Sequence, residues 1–243
     1  MSVSNEIHPS VKVTQKIDAK ISLVGEERTP IIVIDDFLEG CDDIIRYAID
    51  HCQFSGDAVT YYPGIRAFLP QYYLAAVVQV VAFQLYRLYS IPSDRKVVVK
   101  PSYFSLITKH AHELSLVQKL PHFDTGRPHY FALLHYLNEG DHGGTGFFRH
   151  VPTGYERISE SIQNTYVASA EHYLRSVDGA LQPGYITQSN RHFELISEVP
   201  YRPNRLVVYP GNLLHSGLLK LPRDIDPNPI TGRLTANTFI EYV

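Results

Sequence analysis

The second half of the chain is a succession of short segments rich in β-branched and aromatic residues, separated by Gly, Pro and Asn. Such segments are typical of antiparallel strands joined by turns. They follow a first half with helical patterns, and helices followed by many strands favour an α+β domain built on a sandwich or barrel. The strand-like segments are VVVKPSYFSLIT, read as two β-rich runs, then YFALLHYLN, TGFFRH, RLVVYPG and RLTANTFIEYV.

The first half and one later stretch supply the remaining elements. Apolar runs predict strands, a broad apolar stripe predicts a helix, and Pro and Gly punctuate loops. The predictions are a strand in PIIVIDDFLE from Pro30, a helix from Asp42, a loop at YYPGIRAFLP, a buried helix over 71–89 and a helix over about 158–181.

The chain has 243 residues without a repeat, linker or low-complexity tract, so we expect one domain spanning residues 1–243. Residues from about 150 to 200 are expected to form a variable segment that covers the pocket, since loops on a rigid scaffold carry specificity.

Charge and cysteine content narrow the function classes. The chain has 22 Lys+Arg against 25 Asp+Glu, and this balance lacks the basic surplus that nucleic acids and anionic membranes require. Two cysteines cannot form a disulfide scaffold, and the first 20 residues lack the apolar core of a signal peptide. We therefore expect a cytoplasmic protein without nucleic-acid or membrane partners.

Histidine is unusually frequent: seven of the 12 histidines lie between positions 110 and 150. Within this cluster, His122 and Asp124 are separated by one residue, so on a strand their side chains would point to the same face. His215, which follows another predicted strand and a turn, is the best third partner. Two His and one carboxylate form the facial triad of non-haem Fe(II) oxygenases, which leaves metal positions open. The alternative is that His122 and Asp124 form a satisfied core pair.

Arg233 lies on the last predicted strand, and Thr235 shares its face. An arginine facing into a barrel is a buried charge, which is costly unless an anion meets it. A dicarboxylate cofactor would be such an anion, because Arg binds carboxylates bidentately. An internal Asp or Glu is the alternative partner.

The order of these motifs resembles the prolyl-4-hydroxylase-like branch of the Fe(II)/2-oxoglutarate-dependent oxygenases. That group carries H-x-D, then Y-L-N followed by Gly-Gly, a distal His after a strand, and G-x-R on the last core strand. The resemblance covers roughly residues 30–70 and 100–243, except 150–190. The matching segments here are HFD, YLNEGDHGGTGFF, NRLVVYPGNLLHSG and GRLTANTF, and IIVIDDFL resembles the opening of the group.

The resemblance implies a double-stranded β-helix, a cupin-like jelly roll, with helices packed on one face. It implies Fe(II) bound by His122, Asp124 and His215, and 2-oxoglutarate held by Arg233 with support from Thr235. Tyr136 matches a tyrosine that in such enzymes donates its hydroxyl to the same carboxylate; its alternative role is a core aromatic.

The expected activity is therefore that of a 2-oxoglutarate-dependent dioxygenase that hydroxylates a small-molecule or amino-acid-like substrate. Two other functions stay open: a 2-oxoglutarate-independent, cupin-type metal enzyme, and a non-catalytic metal-binding jelly roll. The sequence does not decide the substrate or the oligomeric state, and a homodimer is one option.

Overall fold

The computed structural model describes residues 11–56, 61–176 and 184–243. These residues form eleven strands, three α-helices and two short 3-10 turns. The strands are β1 (Ala19–Val24), β2 (Thr29–Ile34), β3 (Ser55–Gly56), β4 (Gly64–Phe68), β5 (Val97–Ile107), β6 (Tyr130–Tyr136), β7 (Thr145–His150), β8 (Phe193–Val199), β9 (Arg205–Pro210), β10 (His215–Gly217) and β11 (Thr235–Tyr242). The helices are α1 (Asp42–His51), α2 (Gln71–Leu88) and α3 (Gln163–Arg175).

The strands form two antiparallel sheets. The large sheet has the order β1-β2-β9-β6-β11-β5-β4-β3, and the small sheet has the order β10-β7-β8. A backbone bridge between His122 and His215 adds a further segment beside β10. Along the chain from β5, the path crosses repeatedly between the sheets: β5 and β6 lie in the large sheet, β7 and β8 in the small one, then β9 in the large, β10 in the small and β11 in the large. Such crossing between two facing antiparallel sheets is the winding of a jelly roll. The expected double-stranded β-helix is confirmed.

The helices cover the outer faces of the sheets. A core of buried residues joins α1 and α2 to the large sheet through side chains such as Ile44, Val77 and Phe131. Helix α3 packs beside the small sheet, where Tyr166 and Phe148 belong to one buried cluster. The predicted layer of helices on one face is present, and α3 adds a second layer.

Strand β6 shows why the sheet has two apolar faces. Phe131 and Leu133 point into the core beneath the helices, whereas Ala132, Leu134 and Tyr136 belong to the core between the sheets. Successive side chains on a strand point to opposite faces, so a sheet covered on both sides needs a continuous apolar run.

Two predictions about local structure were wrong. The segment predicted as a loop, YYPGIRAFLP, contains strand β4, which pairs with β5. The two β-rich runs of VVVKPSYFSLIT form a single strand, β5, that continues through Pro101. The helix predicted over about 158–181 is confirmed over a shorter range as α3, and residues 177–183 lie outside the described chain.

None of the helices in the described ranges combines the length and the apolar character needed to cross a membrane.

Candidate metal centre and cavity

Three predicted ligands meet at one point. His122, Asp124 and His215 each offer a ligand atom, and these atoms all lie within 4.8 Å of one another. The imidazole rings of His122 and His215 have their centroids 4.3 Å apart. Two imidazoles and one carboxylate around a shared point suit Fe(II) and related divalent metals.

Backbone hydrogen bonds between two distant chain segments position this triad. The N–H of His122 donates to the carbonyl of His215 at 2.9 Å, and the N–H of His215 donates back at 2.8 Å. The N–H of Asp124 donates to the carbonyl of Gly211 at 2.6 Å. The segment before β6 is therefore fixed to the first residue of β10 at His122 and to the β9–β10 connection at Asp124.

The imidazole of His215 is oriented by a hydrogen bond at its other nitrogen. Its Nδ1 lies 2.8 Å from the carbonyl oxygen of Leu213, which can only accept, so Nδ1 carries the proton. The Nε2 atom then keeps its lone pair for a metal. Such a bond to a ligating histidine fixes the ring and its tautomer. The ring edge of Tyr209 packs against this imidazole, with centroids 4.8 Å apart.

Burial shifts the pKa values of His122 and Asp124 in opposite directions, each toward the uncharged form. Desolvation within the protein lowers the pKa of His122 well below its ordinary value, with further lowering by His215 and Arg66. Desolvation also raises the pKa of Asp124, although His215 and Arg66 oppose that change. His122 and Asp124 are nevertheless solvent-accessible because they line an open cavity. A bound divalent cation would stabilise the neutral imidazole and the ionised carboxylate together.

The triad lines a cavity of about 430 Å³ between the two sheets. This volume is in the range of small-molecule sites. Aromatic side chains supply much of the wall, and among the described residues the charged ones are Asp124, Arg66 and Arg233. The aromatic residues of the wall are Tyr61, Tyr62, Phe123, Tyr130, Tyr185, Tyr209 and Phe239.

Arg233 is buried, with 5% of its surface exposed, and it lines this cavity. Its Nε donates to the carbonyl of Gly143 at 2.7 Å, and its Nη2 donates to the carbonyl of Gly144 at 3.2 Å. Within the described chain, no carboxylate lies at ion-pair distance from its guanidinium, so the alternative of an internal salt bridge has no support there. A guanidinium can bind a carboxylate through either of two edges, Nε–Nη2 or Nη1–Nη2. The two glycine carbonyls lie at the first of these edges.

Thr235 and Tyr136 occupy neighbouring strands in direct register. Thr235 lines the cavity, and its hydroxyl lies 3.3 Å from the Nδ2 of Asn237. Tyr136 is fully buried in the core between the sheets, and its hydroxyl lies 2.7 Å from the hydroxyl of Thr145. Thr145 lines the cavity. Tyr136 also contacts Arg233, whose guanidinium carbon lies 5.3 Å from the Tyr136 ring centroid, so a role beside a bound carboxylate stays a prediction.

Arg66 is a cavity residue that the sequence predictions missed, because its segment was interpreted as a loop. Its guanidinium carbon lies 4.0 Å from the ring centroid of Tyr62 and 5.1 Å from that of Tyr103. In the sheet register Arg66 pairs with Ser105, and Ser105 pairs with Thr235. A polar row therefore crosses the inner face of the large sheet from β4 to β11.

The other histidines of the dense cluster lie outside this cavity. His142 and His150 are buried, and their Nδ1 atoms bond Asp224 at 2.8 Å and Thr153 at 2.7 Å. His135 lies on the opposite face of β6, with its Nδ1 2.9 Å from the hydroxyl of Tyr73. Of the described residues between 150 and 200, Tyr185 lines the cavity.

The fold and the site together define a double-stranded β-helix protein with a candidate metal centre of two histidines and one carboxylate at the base of a cavity. The chain belongs to the family described as "Family of unknown function (DUF6445)", whose model matches residues 15–240. A comparison with curated proteins finds no match.

Among solved structures, the chain is similar to HygX from Streptomyces hygroscopicus, described with nickel and 2-oxoglutarate bound. The identity is 14% and the TM-score is 0.44, over 88% of this chain and 84% of that chain.

Proposed function

We propose that this protein is a non-haem Fe(II) and 2-oxoglutarate-dependent dioxygenase. The observation that carries the proposal is one cavity that contains a converging His122, Asp124 and His215 together with the buried Arg233. Side chains that would bind the metal and a cation that would meet the cofactor thus line a single cavity, which supports the proposal. Membership of the prolyl-4-hydroxylase-like branch is part of the proposal and rests on the order of the sequence motifs.

The donor set fits the proposed metal. His122, Asp124 and His215 would hold Fe(II) on one side and leave its remaining positions to face the cavity. The bond from His215 Nδ1 to the Leu213 carbonyl fixes the imidazole orientation before a metal binds. When bound, Fe(II) and 2-oxoglutarate would supply the oxidising chemistry for a C–H bond with O2 as the oxidant: one oxygen atom would enter succinate, formed from 2-oxoglutarate with loss of CO2, and the other would form the hydroxyl group of the product.

Arg233 would bind the distal carboxylate of 2-oxoglutarate. The Gly143 and Gly144 carbonyls hold the Nε and Nη2 donors, which fixes the plane of the guanidinium. Because its plane is already fixed, the guanidinium would lose little conformational entropy when its Nη1 and Nη2 groups donate to a carboxylate. Thr235 adds a hydroxyl at the cavity wall.

The substrate is proposed to be a small or amino-acid-like molecule with a carboxylate. Arg66 lies in the cavity wall, with its guanidinium carbon 4.0 Å from the ring centroid of Tyr62 and 5.1 Å from that of Tyr103. A guanidinium in a cavity wall is a permanent cation whose planar geometry matches a carboxylate. The surrounding tyrosines supply apolar surface for the rest of the substrate.

The test uses the purified protein with Fe(II) and 2-oxoglutarate under anaerobic conditions, followed by air. We expect a weak visible charge-transfer band before air and formation of succinate after it. Arg233→Gln should lose the band at 2-oxoglutarate concentrations that saturate the unmodified protein, while it still binds one metal. Absence of both the band and succinate from the unmodified protein would overturn the proposal.

The other two functions give different results in the same assay. A metal enzyme that does not use 2-oxoglutarate would bind Fe(II) without the band. A non-catalytic jelly roll would bind Fe(II), with or without the band, and form no succinate above background. Oligomeric state and cytoplasmic location stay predictions from the sequence.

A further inference from the structure

A buried His–Asp pair lies directly behind the segment that holds Arg233. His142 Nδ1 lies 2.8 Å from Asp224 Oδ1, and the two side chains are 1% and 0% exposed. Neither residue lines the main cavity, so the proposed reaction does not use them directly. A fully buried carboxylate is costly unless its lone pairs are satisfied, so its partners indicate what it stabilises.

Asp224 binds two backbone groups in addition to His142. Its Oδ2 accepts from the N–H of Gly143 at 2.9 Å and from the N–H of Lys220 at 2.7 Å. These hydrogen bonds, together with the imidazole, hold the pKa of Asp224 below its ordinary value despite burial. The carboxylate therefore fixes the backbone at the start of the Gly143–Gly144 segment.

The same segment binds Arg233 from its other side. The N–H of Gly143 donates to Asp224 Oδ2, and the carbonyl of Gly143 accepts from Arg233 Nε. Gly144 accepts Arg233 Nη2 and also the N–H of Leu218, at 3.0 Å. A chain of hydrogen bonds thus runs from Asp224 through one peptide residue to the guanidinium.

The two glycines are required for this arrangement. A Cβ on Gly143 would lie 1.8 Å from the carbonyl oxygen of Leu218, and a Cβ on Gly144 would lie 2.1 Å from that of Val199. The segment is therefore confined between two backbones. The peptide planes of this confined segment could still rotate. The hydrogen bond from the Gly143 N–H to Asp224 restricts that rotation.

We propose that Asp224, oriented by His142, is a positioning residue that holds Arg233 in the geometry that binds the distal carboxylate of the cosubstrate. The inference rests on the proposed function, since it assumes that 2-oxoglutarate meets Arg233. Asp224 also supplies a negative charge near the guanidinium without occupying its carboxylate-binding edge, because the peptide of Gly143 separates them.

The experiment compares two ligands on each variant. Isothermal titration calorimetry of the Ni(II)-loaded protein measures binding of 2-oxoglutarate and of 2-oxopentanoate, which has the same 2-oxo acid group but no distal carboxylate. Asp224→Asn should weaken 2-oxoglutarate about 10-fold or more, the usual effect of losing a partner that orients a ligand-binding group. Its affinity for 2-oxopentanoate should equal that of the unmodified protein.

Comparing the two ligands distinguishes a misplaced Arg233 from partial unfolding of the variant. Partial unfolding lowers the competent fraction for both ligands equally and leaves their affinity ratio unchanged. Asp141→Asn is the matched control: it removes a carboxylate from the adjacent, exposed position, where Asp141 pairs with Lys220 and Arg223. This control should retain the preference for 2-oxoglutarate.

Two further variants test the proposed route. His142→Asn keeps a donor near the Nδ1 position and should lose less preference than His142→Leu. In an Arg233→Gln background, Asp224→Asn should cause no additional loss, because its effect passes through Arg233.

The outcomes are distinguishable. If Asp224→Asn keeps the full preference for 2-oxoglutarate, or weakens both ligands equally, the inference is overturned and the proposed function stands. If the unmodified Ni(II)-loaded protein binds both ligands equally or neither of them, the proposed use of 2-oxoglutarate fails first.

Discussion

His122 and His215 are joined by a reciprocal pair of backbone hydrogen bonds, with N···O distances of 2.9 and 2.8 Å. These bonds form an isolated bridge between the His122 segment and the first residue of β10. Residues directly opposite one another in such a bridge hold their side chains close together, so the two imidazoles approach one another. Asp124, held by the Gly211 carbonyl, completes the group two residues further along. The candidate metal centre is thus built where this segment pairs with the start of β10.

Removal of any one ligand should abolish tight metal binding. His122→Ala, Asp124→Ala and His215→Ala are each expected to weaken Mn(II) or Fe(II) binding by more than about 100-fold, beyond the effect of losing an orienting partner. Metal content after dialysis, measured by mass spectrometry, checks this. His112→Ala changes an exposed histidine of the same cluster and should keep one metal per chain. Unchanged metal content in the three variants would favour the core-pair interpretation.

Gly211→Ala should disturb the metal centre through packing. A Cβ at this position would lie 2.6 Å from Tyr130 Cδ1 and 3.2 Å from Asp124 Oδ2. We expect a loss of about 1–3 kcal/mol in the free energy of unfolding, typical of overpacking, together with weaker metal binding. Urea denaturation and metal titration measure the two effects. Gly40→Ala, where the added carbon meets nothing within 4 Å, should change neither.

His135 should make the protein less stable in mild acid. Burial lowers its pKa to about 4, and its neighbours Tyr73 and Asn204 offer it no charge. Because the folded-state pKa lies below the unfolded value of 6.5, protonation favours the unfolded chain as pH falls between these two values. The contribution is full above pH 6.5, and about 2 kcal/mol of it should be lost by pH 5.

The measurement for His135 is the free energy of unfolding in urea at pH 8 and pH 5. His135→Gln should be less stable at pH 8, yet its loss between the two pH values should be smaller by about 2 kcal/mol. Equal losses in the variant and the unmodified protein would show that other groups control the acid sensitivity.

Arg66 should decide whether the substrate needs a carboxylate. In a succinate assay with the twenty free L-amino acids, we expect the most effective one to lose its effect when its carboxylate is converted to the amide. Arg66→Gln should reduce the response to the acid by about 10-fold or more, the effect of a lost charged hydrogen-bond partner. Arg87→Gln, on the exposed face of α2, is the control. An amide that works as well as the acid would contradict a carboxylate-binding role.

The positions of the candidate ligands could be predicted from sequence because their chemistry follows simple rules. The i, i+2 relation of His122 and Asp124 places both side chains on one face even though the segment is held by an isolated bridge rather than a full strand. Arg233 was predicted to lie on the last strand, but β11 begins two residues later at Thr235. Its side chain nevertheless lines the cavity, as the prediction of an inward-facing arginine required. The bond from His215 to the Leu213 carbonyl was not predictable, because it depends on how the turn before β10 folds.

Strands β4 and β5 show where local patterns mislead. In the sequence, Gly64 favoured a loop. In the structure it lies in β4 and allows this strand to approach β5 closely, since a Cβ there would lie 1.9 Å from the Leu106 carbonyl oxygen. Pro101 is tolerated within β5 because β4 pairs only with residues from 103 onward, and β11 shifts register between Asn237 and Phe239. A missing N–H costs little at such an irregularity. Missing β4 also meant missing Arg66.

The reciprocal pairing of His122 with His215 also bears on how the protein matures. The two segments lie far apart in the chain, and contacts of such long sequence separation are slow to form. Until they meet, the histidines belong to separate segments and offer no shared coordination point. The candidate metal site would therefore be complete only once this long-range pairing has formed.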